Sequence, residues 1–351
     1  MFHFFSKTES AFGLDVSGSS FKIIELNSRR QATQVKGFAD TPFPKGLILN
    51  DAISDVKTFT YLIKQALDRP QFGHISTNRA IVSLPESKSF IRVIQIPQMS
   101  DTEAESAVPF EAESFIPLPI DQVYLDWQKL GEAGDKLNIL IIASPKDFVD
   151  KYLDVLDKAG LKSVALEVES QSCHRALVDP DSKETVLIVD LDAYRSSLIM
   201  VEEGMLQFTS TIPIAGNSFT ESIARALGIS STKAEEIKHK VGISNTTEYP
   251  NVKTALLPIL NNLSAEIKNI LKFHQDHSEK QVSKILLVGG SAKLKNLSEF
   301  LQPQLADLAE IKVELGNAWQ NVKLTGQPPL DQLQSLGFVT AIGLAIRGTM
   351  Q

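Results

Sequence analysis

Covalent and metal-held scaffolding is almost missing from this chain. Its 351 residues hold one cysteine, Cys173. No internal disulfide can form, and a lone thiol suits a reducing compartment and reads as a small buried hydrophobe. The six histidines form no metal set. His274 and His277 stand three apart near a helix end, but no cysteine or carboxylate constellation joins them. Basic residues are outnumbered 35 to 42, and the net charge of −7 argues against a nucleic-acid partner, whose phosphates require a basic surface. Long apolar runs are absent too. Leu137–Ala143 and Ile285–Val288 fall far short of the roughly 20 residues that span a membrane. The opening Met1–Lys7 carries Phe2, Phe4 and Phe5, yet it is shorter than the apolar core of about 7–15 residues in a signal peptide. It reads as a disordered or packed terminus, the alternative being a shallow contact with a membrane surface.

What remains is an ordinary packed globular chain. Hydrophobic residues make up 43% and charged residues 22%, and the length suffices for two domains. Strand and helix patterns alternate. Phe12–Val16 and Phe21–Leu26 read as strands around the turn Ser17-Gly18-Ser19-Ser20, followed by a strand near Thr33–Phe38. Asp51 is placed to cap a helix with Ile53, Val56, Phe59, Ile63 and Leu67 on one face. Asn78–Gln98 reads as two extended segments around Pro85-Glu86-Ser87. Ser100 and Glu103 spell a capping box, and Pro109 is expected to kink or split the helix that follows. Strands are expected at Val123–Gln128 and Leu137–Ala143, then a helix over Lys146–Lys158.

From about Lys183 the pattern restarts. Val186–Asp190 is an apolar strand, and Ser196–Val201 and Met205–Ser210 form a hairpin. Helices follow, with Ser218/Glu221 and Thr232/Glu235 as candidate capping boxes, then a long apolar stripe from Leu256 to Leu271. Leu14–Ile24 and Val189–Ile199 both read strand, aspartate, small turn, strand. About half the chain separates them, which points to a duplicated domain. Two such hairpins facing across a cleft offer backbone nests for a polyphosphate, and their strand-end aspartates can hold Mg²⁺ through water. Taken alone, either is an ordinary polar turn. Lys284–Val288 then runs into Gly289-Gly290-Ser291, where missing side chains let a flat ligand approach.

The order hairpin, hairpin, strand-Gly-Gly resembles the phosphate-1, phosphate-2 and adenosine motifs of the actin and sugar-kinase superfamily. Gly13-Leu14-Asp15 with Ser19-Ser20-Phe21-Lys22, the segment Phe110–Pro119 with Asp126-Trp127, Gly216–Thr220 with Ala234-Glu235 and Lys238, and Gly343–Arg347 narrow it. Together they resemble the PilM family of type IV pilus proteins over about Phe12–Arg347. The resemblance implies an α/β, actin-like fold of two duplicated ribonuclease-H-like domains, 1–182 and 183–351. A small subdomain, about 78–163, is inserted in the first, and a helical one, about 216–278, lies in the second. It implies ATP held by Asp15, Ser17, Gly18, Ser19, Ser20 and Lys22 on one side and Asp190 and Asp192 on the other. Glu235, Lys238, Gly289, Gly290 and Ser291 would face the base and ribose, and Asp15 and Asp190 would hold Mg²⁺ through water. The residues alone leave Glu235 and Lys238 open to a second reading, an exposed helical ion pair. Two positions depart from the family: Ser17 and Asp192 stand where it has glycine. Asp192 adds a third carboxylate, which at 4 Å and an effective dielectric of 20 costs about 4 kcal/mol unless Mg²⁺ or Arg195 offsets it.

The family role is a cytoplasmic scaffold, peripherally associated with the inner membrane through its partners. It binds the N-terminal cytoplasmic peptide of the membrane protein PilN in a groove of the inserted subdomain and links it to the pilus motor ATPases; self-association also belongs to this expectation. Extended stretches at Ala80–Leu84 and Phe90–Ile96 would offer the peptide a sheet edge. The alternatives are an FtsA-like cell-division adaptor, a type II secretion platform component, or a sugar kinase. A kinase needs an aspartate base, and Asp126 reads more simply as a solvated or salt-bridged residue. No catalytic residue is assigned, and hydrolysis is expected to be slow or absent.

Overall fold

The computed structural model describes residues 11–29, 32–306, 308 and 310–349, so the reading of Met1–Lys7 lies outside the described residues. In chain order, β1 (Phe12–Val16), β2 (Ser20–Arg29) and β3 (Ala32–Pro42) form an antiparallel meander. A tight hairpin, β4 (Ile48–Leu49) and β5 (Ala52–Ile53), leads to α1 (Val56–Asp68). Asp55, not Asp51, caps α1, accepting from the backbone N–H of Lys57 and Thr58. Asp51 instead sits in the hairpin turn, where Asn50 and Asp51 both have positive φ, a geometry these two side chains tolerate.

Next come β6 (Phe72–Gly73), β7 (Arg79–Leu84), β8 (Phe90–Pro97) and α2 (Asp101–Ala112). The Ser100/Glu103 capping box is present, and α2 runs through Pro109 without splitting. β9 (Val123–Ala133), β10 (Lys136–Pro145), α3 (Lys146–Lys158), β11 (Lys162–Val168) and α4 (Glu169–Leu177) complete the first half.

The second half repeats the plan with β12 (Thr185–Leu191), β13 (Ser196–Glu202) and β14 (Met205–Ile212). Then follow α5 (Gly216–Leu227), α6 (Ser231–Val241), α7 (Asn251–His277), β15 (Val282–Val288), α8 (Leu297–Leu305) and β16 (Lys312–Leu315). A short α9 (Gln332–Ser335) precedes α10 (Val339–Thr349). The caps differ from expectation: α5 begins after Ala215, ahead of Ser218, and Ser230 rather than Thr232 caps α6.

The duplication is visible in topology. The first sheet is ordered β11-β7-β1-β2-β3-β6, and the second contains β16-β15-β12-β13-β14. In each, an antiparallel meander continues into two parallel strands on the far side of its first strand. Register repeats as well: Asp15 pairs with Lys22, and Asp190 with Ser197. The C-terminal α10 packs on α4 and on the first sheet. Gly343 lets α10 lie against the Ser172 carbonyl, and Gly13 lets it lie against β1; a side chain at either would clash with backbone.

The inserted segment is narrower than 78–163. β7 and β11 are strands of the first sheet, and only β8, β9 and β10, with α2, stand apart. These three strands extend the second sheet, not the first: β8 joins β14 at the single pair Phe208↔Arg92. Neither stretch expected to offer an edge is free. β7 lies between β1 and β11, and β8 between β14 and β10. The outer strand is β9.

Candidate functional site

Asp15 stands one residue before the end of β1 and is buried beside β7. Ser83 on β7 donates its hydroxyl to Asp15 Oδ1 at 3.0 Å while accepting the Val16 N–H at 3.0 Å. The turn that follows is closed by Ser17, whose N–H and hydroxyl both donate to the Ser20 carbonyl at 3.0 and 2.9 Å. Lys22 returns along β2 and donates to Ser20 Oγ at 3.0 Å. The Ser17 side chain thus locks the turn.

The matching turn of the second half begins at Asp190, also buried. The buried Cys173 thiol donates to Asp190 Oδ2 at 3.5 Å and lies 3.2 Å from Thr340 Oγ1, a structural role as expected for this residue. The tip of this turn reaches the first, since a Cβ on Gly18 would run into the Tyr194 ring. Asp192 holds the turn to α5 and to the glycine pair. Its carbonyl accepts the Gly216 N–H at 2.8 Å and the Ser291 hydroxyl at 3.3 Å. Gly289 has φ +85° and packs against Asp190 Oδ1 and the Leu191 carbonyl, so no larger residue fits. Gly290, by contrast, faces open space.

Glu235 and Lys238 are not an exposed ion pair. Lys238 is 5% exposed and donates to the Gly216 carbonyl at 3.2 Å, to Thr220 Oγ1 at 2.9 Å and to Glu235 at 2.7 Å. Burial lowers its pKa, against the pull of Glu235. Burial would raise Glu235, but hydrogen bonds from His239, Lys238 and Thr220 hold it at about 2. The pair clips α6 to the start of α5, beside Ser291.

The centre of the cleft is acidic. Burial raises Asp15 to about 6, with Asp192 and Asp40 adding to it and Lys22 and Ser83 opposing. Burial, then Asp192 and Asp15, hold Asp190 well above the usual carboxylate range. Asp192 is raised by burial and lowered by Lys22. Arg195 does not offset Asp192. Its guanidinium pairs with Asp51 and donates to Ser87 Oγ at 2.7 Å, so it ties this turn to the β4–β5 hairpin and to the root of the insert.

A fourth carboxyl went unseen in the sequence. Glu169, first residue of α4, accepts the Glu86 N–H at 3.1 Å, and burial, Asp15 and Asp192 raise it well above the usual range. Its only sequence signal is a helix start after an apolar strand, which says nothing of what lies opposite. Among the described residues, no three histidine, cysteine or carboxylate side chains stand close enough to ligate a metal ion directly. Asp126 lies elsewhere, near enough to Arg347 to favour its charge.

Asp15 sets a test of this crowding. Its carboxyl binds a proton more tightly folded, at about 6, than at its ordinary 3.8. Above pH 6 the fold carries a penalty of about 3 kcal/mol that fades as pH falls toward 3.8. Buried His174, lowered to about 4 mainly by burial, has the opposite slope below 6.5. The comparison must therefore be with Asp15→Asn, which removes the Asp15 charge together with its push on Asp190 and Glu169 and leaves His174 in place. By urea titration in EDTA, the variant is expected to exceed the wild type in stability above pH 6, with its advantage shrinking toward pH 4. An advantage independent of pH would contradict this account.

A sequence profile of the family described as "Type IV pilus assembly protein PilM" matches residues 13–349. The solved PilM-PilN type IV pilus biogenesis complex contains a chain that superposes with a TM-score of 0.81 at 27% identity, covering 99% of this chain and 100% of that one. MreB5 of Spiroplasma citri, solved with AMPPNP, superposes at 0.55 with 12% identity over 97% of this chain and 96% of its own, a likeness of fold. The cell division protein FtsA of Escherichia coli strain K12 is 23% identical over 343 residues, covering 83% of this chain and 79% of its own. Among the described residues, no helix is long and apolar enough to cross a membrane.

Proposed function

The chain belongs to the PilM family of type IV pilus assembly proteins, and from that premise we propose that it is the scaffold of a pilus inner-membrane platform, binding the N-terminal cytoplasmic peptide of a PilN-like protein. The observation that carries this reading is the near-complete superposition on a chain from a complex of PilM with PilN. Peripheral attachment at the cytoplasmic face of the inner membrane follows from that partner. Contact with the motor ATPases and self-association belong to the same proposal.

We assign the peptide groove to the inserted segment, on α2 and the loop after it, where Phe110, Phe115 and Leu118 are exposed. A short peptide buries little surface, so affinity is modest and is raised by confinement at the membrane. The reading is tested by a pull-down with the synthetic N-terminal peptide of the PilN-like protein from the same genome. Retention of the chain by this peptide and not by a scrambled one is expected; equal recovery on both would end the assignment.

We further propose that the cleft takes Mg-ATP. The residues fit it: two small turns meet at Gly18 and Tyr194, Gly290 opens on space, and Lys22 reaches toward the buried acids. Bound Mg²⁺ would supply the positive charge that lets Asp15 and Asp190 ionise, and would be held by them through water. Asp15 and Lys22 lie on one side and Asp190 and Asp192 on the other, while Gly289, Gly290, Ser291, Glu235 and Lys238 take the base and ribose side. The protein's own contribution is to orient and to bring the halves together. Negative charge on Asp192 works against phosphoryl transfer, which needs neutralisation of the phosphates, so turnover is slow.

A further inference from the structure

Lys293 was not singled out by any sequence motif. It lies three residues beyond Gly290, at the end of a short 3-10 helix, and is half-buried. Lys22 belongs to the first half, on β2. Both converge on Gly337, a residue without a side chain just ahead of α10. A Cβ built there would stand 3.7 Å from Lys22 Cε and 3.7 Å from Lys293 Nζ. The Lys22 side chain and the Lys293 ammonium thus flank the same glycine.

Among the described residues, neither lysine makes an ion pair within 4 Å, and the hydrogen bond of Lys22 goes to a neutral hydroxyl, Ser20 Oγ. The Lys293 ammonium makes no hydrogen bond among the described residues. Asp40 on β3 and Asp331 before α9 act on Lys293 only from a distance, and less than burial and the Lys22 charge, which together lower its pKa. Half-buried like charges side by side are unfavourable in an empty cleft and favourable around an anion. Lys22 also lies near Asp15, Asp190 and Asp192. Charge therefore runs from the three aspartates through Lys22 to Lys293, an order that a cation–polyphosphate ligand would match.

Resting on the nucleotide reading above, we propose that Lys293 and Lys22 form a two-lysine clamp for the polyphosphate of the bound nucleotide, one ammonium from each half. Charge-assisted hydrogen bonds of about 2.7–2.9 Å on opposite sides of a phosphate suit two donors so placed. Because the donors belong to different halves, a polyphosphate bridging them holds the halves together, whereas a nucleoside without phosphates does not.

The test is calorimetric titration of wild type, Lys293→Met and Lys293→Arg with Mg-ATP, AMP, adenosine and inorganic tripolyphosphate. Lys293→Met is expected to bind Mg-ATP about 10- to 100-fold more weakly, the change that one hydrogen bond to a charged group carries. Adenosine binding stays the same, and Lys293→Arg retains most of the ATP affinity. Removal of an unpaired half-buried charge is expected to leave the thermal midpoint unchanged or higher, so loss of folding would count against the clamp. Unchanged Mg-ATP affinity in Lys293→Met overturns the clamp and leaves the nucleotide reading standing. Tripolyphosphate binding to wild type that Lys293→Met weakens, without binding of ATP, upholds the clamp and overturns the nucleotide reading. No binding of either by wild type overturns both.

Discussion

Gly290→Arg is expected to abolish Mg-ATP binding while leaving the fold intact. The reason lies in the contrast between two adjacent glycines. Gly289 has φ +85° and is pressed against Asp190 and Leu191, so any substitution there strains the backbone and disturbs the acidic centre. Gly290 has no positive φ, and no heavy atom lies within 4 Å of where its Cβ would be. An arginine there costs little in the free protein and fills the space assigned to the base. The expected readings are no measurable calorimetric heat with Mg-ATP and an unchanged thermal midpoint. An unchanged affinity would remove the base from this position and with it the placement of the whole ligand.

The second large effect is expected on the peptide. Phe110 is 76% exposed on α2, and Phe115 and Leu118 are 39% and 38% exposed just beyond it. The Arg92 guanidinium stacks over the Phe115 ring at 5.1 Å, which keeps the ring at the surface. A large aromatic left in water is the kind of residue that anchors an interface, and truncating such an anchor commonly costs 2 kcal/mol or more, about 30-fold in affinity. Phe110→Asp is therefore expected to weaken binding of the PilN-like peptide by about that factor or more. Leu333→Asp is the control, because Leu333 is 52% exposed on α9, outside the insert. Equal loss in both variants, or loss in neither, would take the groove away from α2. Phe110 lies outside the insert's own core. That core is made by Ile94, Ile96, Val108, Ile116, Leu137, Ile139 and Ile141.

Much of the architecture was legible because it is local. An apolar strand, an aspartate, a small turn and a second strand need only neighbouring residues. Hence the hairpins at Asp15 and Asp190 were readable, as was the half-chain repeat that gives both sheets one topology. The Ser100/Glu103 box was readable for the same reason, since both bonds lie within one helical turn. Caps failed where two candidates stood within a turn of the same start. Asp51 and Asp55 both precede α1, and only the positive φ of Asn50 and Asp51, imposed by the hairpin, takes Asp51 out of competition.

Tertiary structure decided everything that depends on what lies opposite. Arg195 was one of two groups, with Mg²⁺, that could have offset Asp192, and it faces Asp51 and Ser87, more than a hundred residues away in sequence. Glu169 and Lys293 gained meaning only when α4 and the glycine pair were folded against Asp15 and Lys22. The insert's three strands were readable, but which sheet they extend was not. One residue pair, Phe208 with Arg92, joins them to the second half, and no periodicity within either strand encodes its partner. The sequence by itself determined the strands, the turns and the duplication, since each is the conformational preference of adjacent residues. The charge balance of the cleft and the attachment of the insert are sums over residues that the chain brings together only by folding.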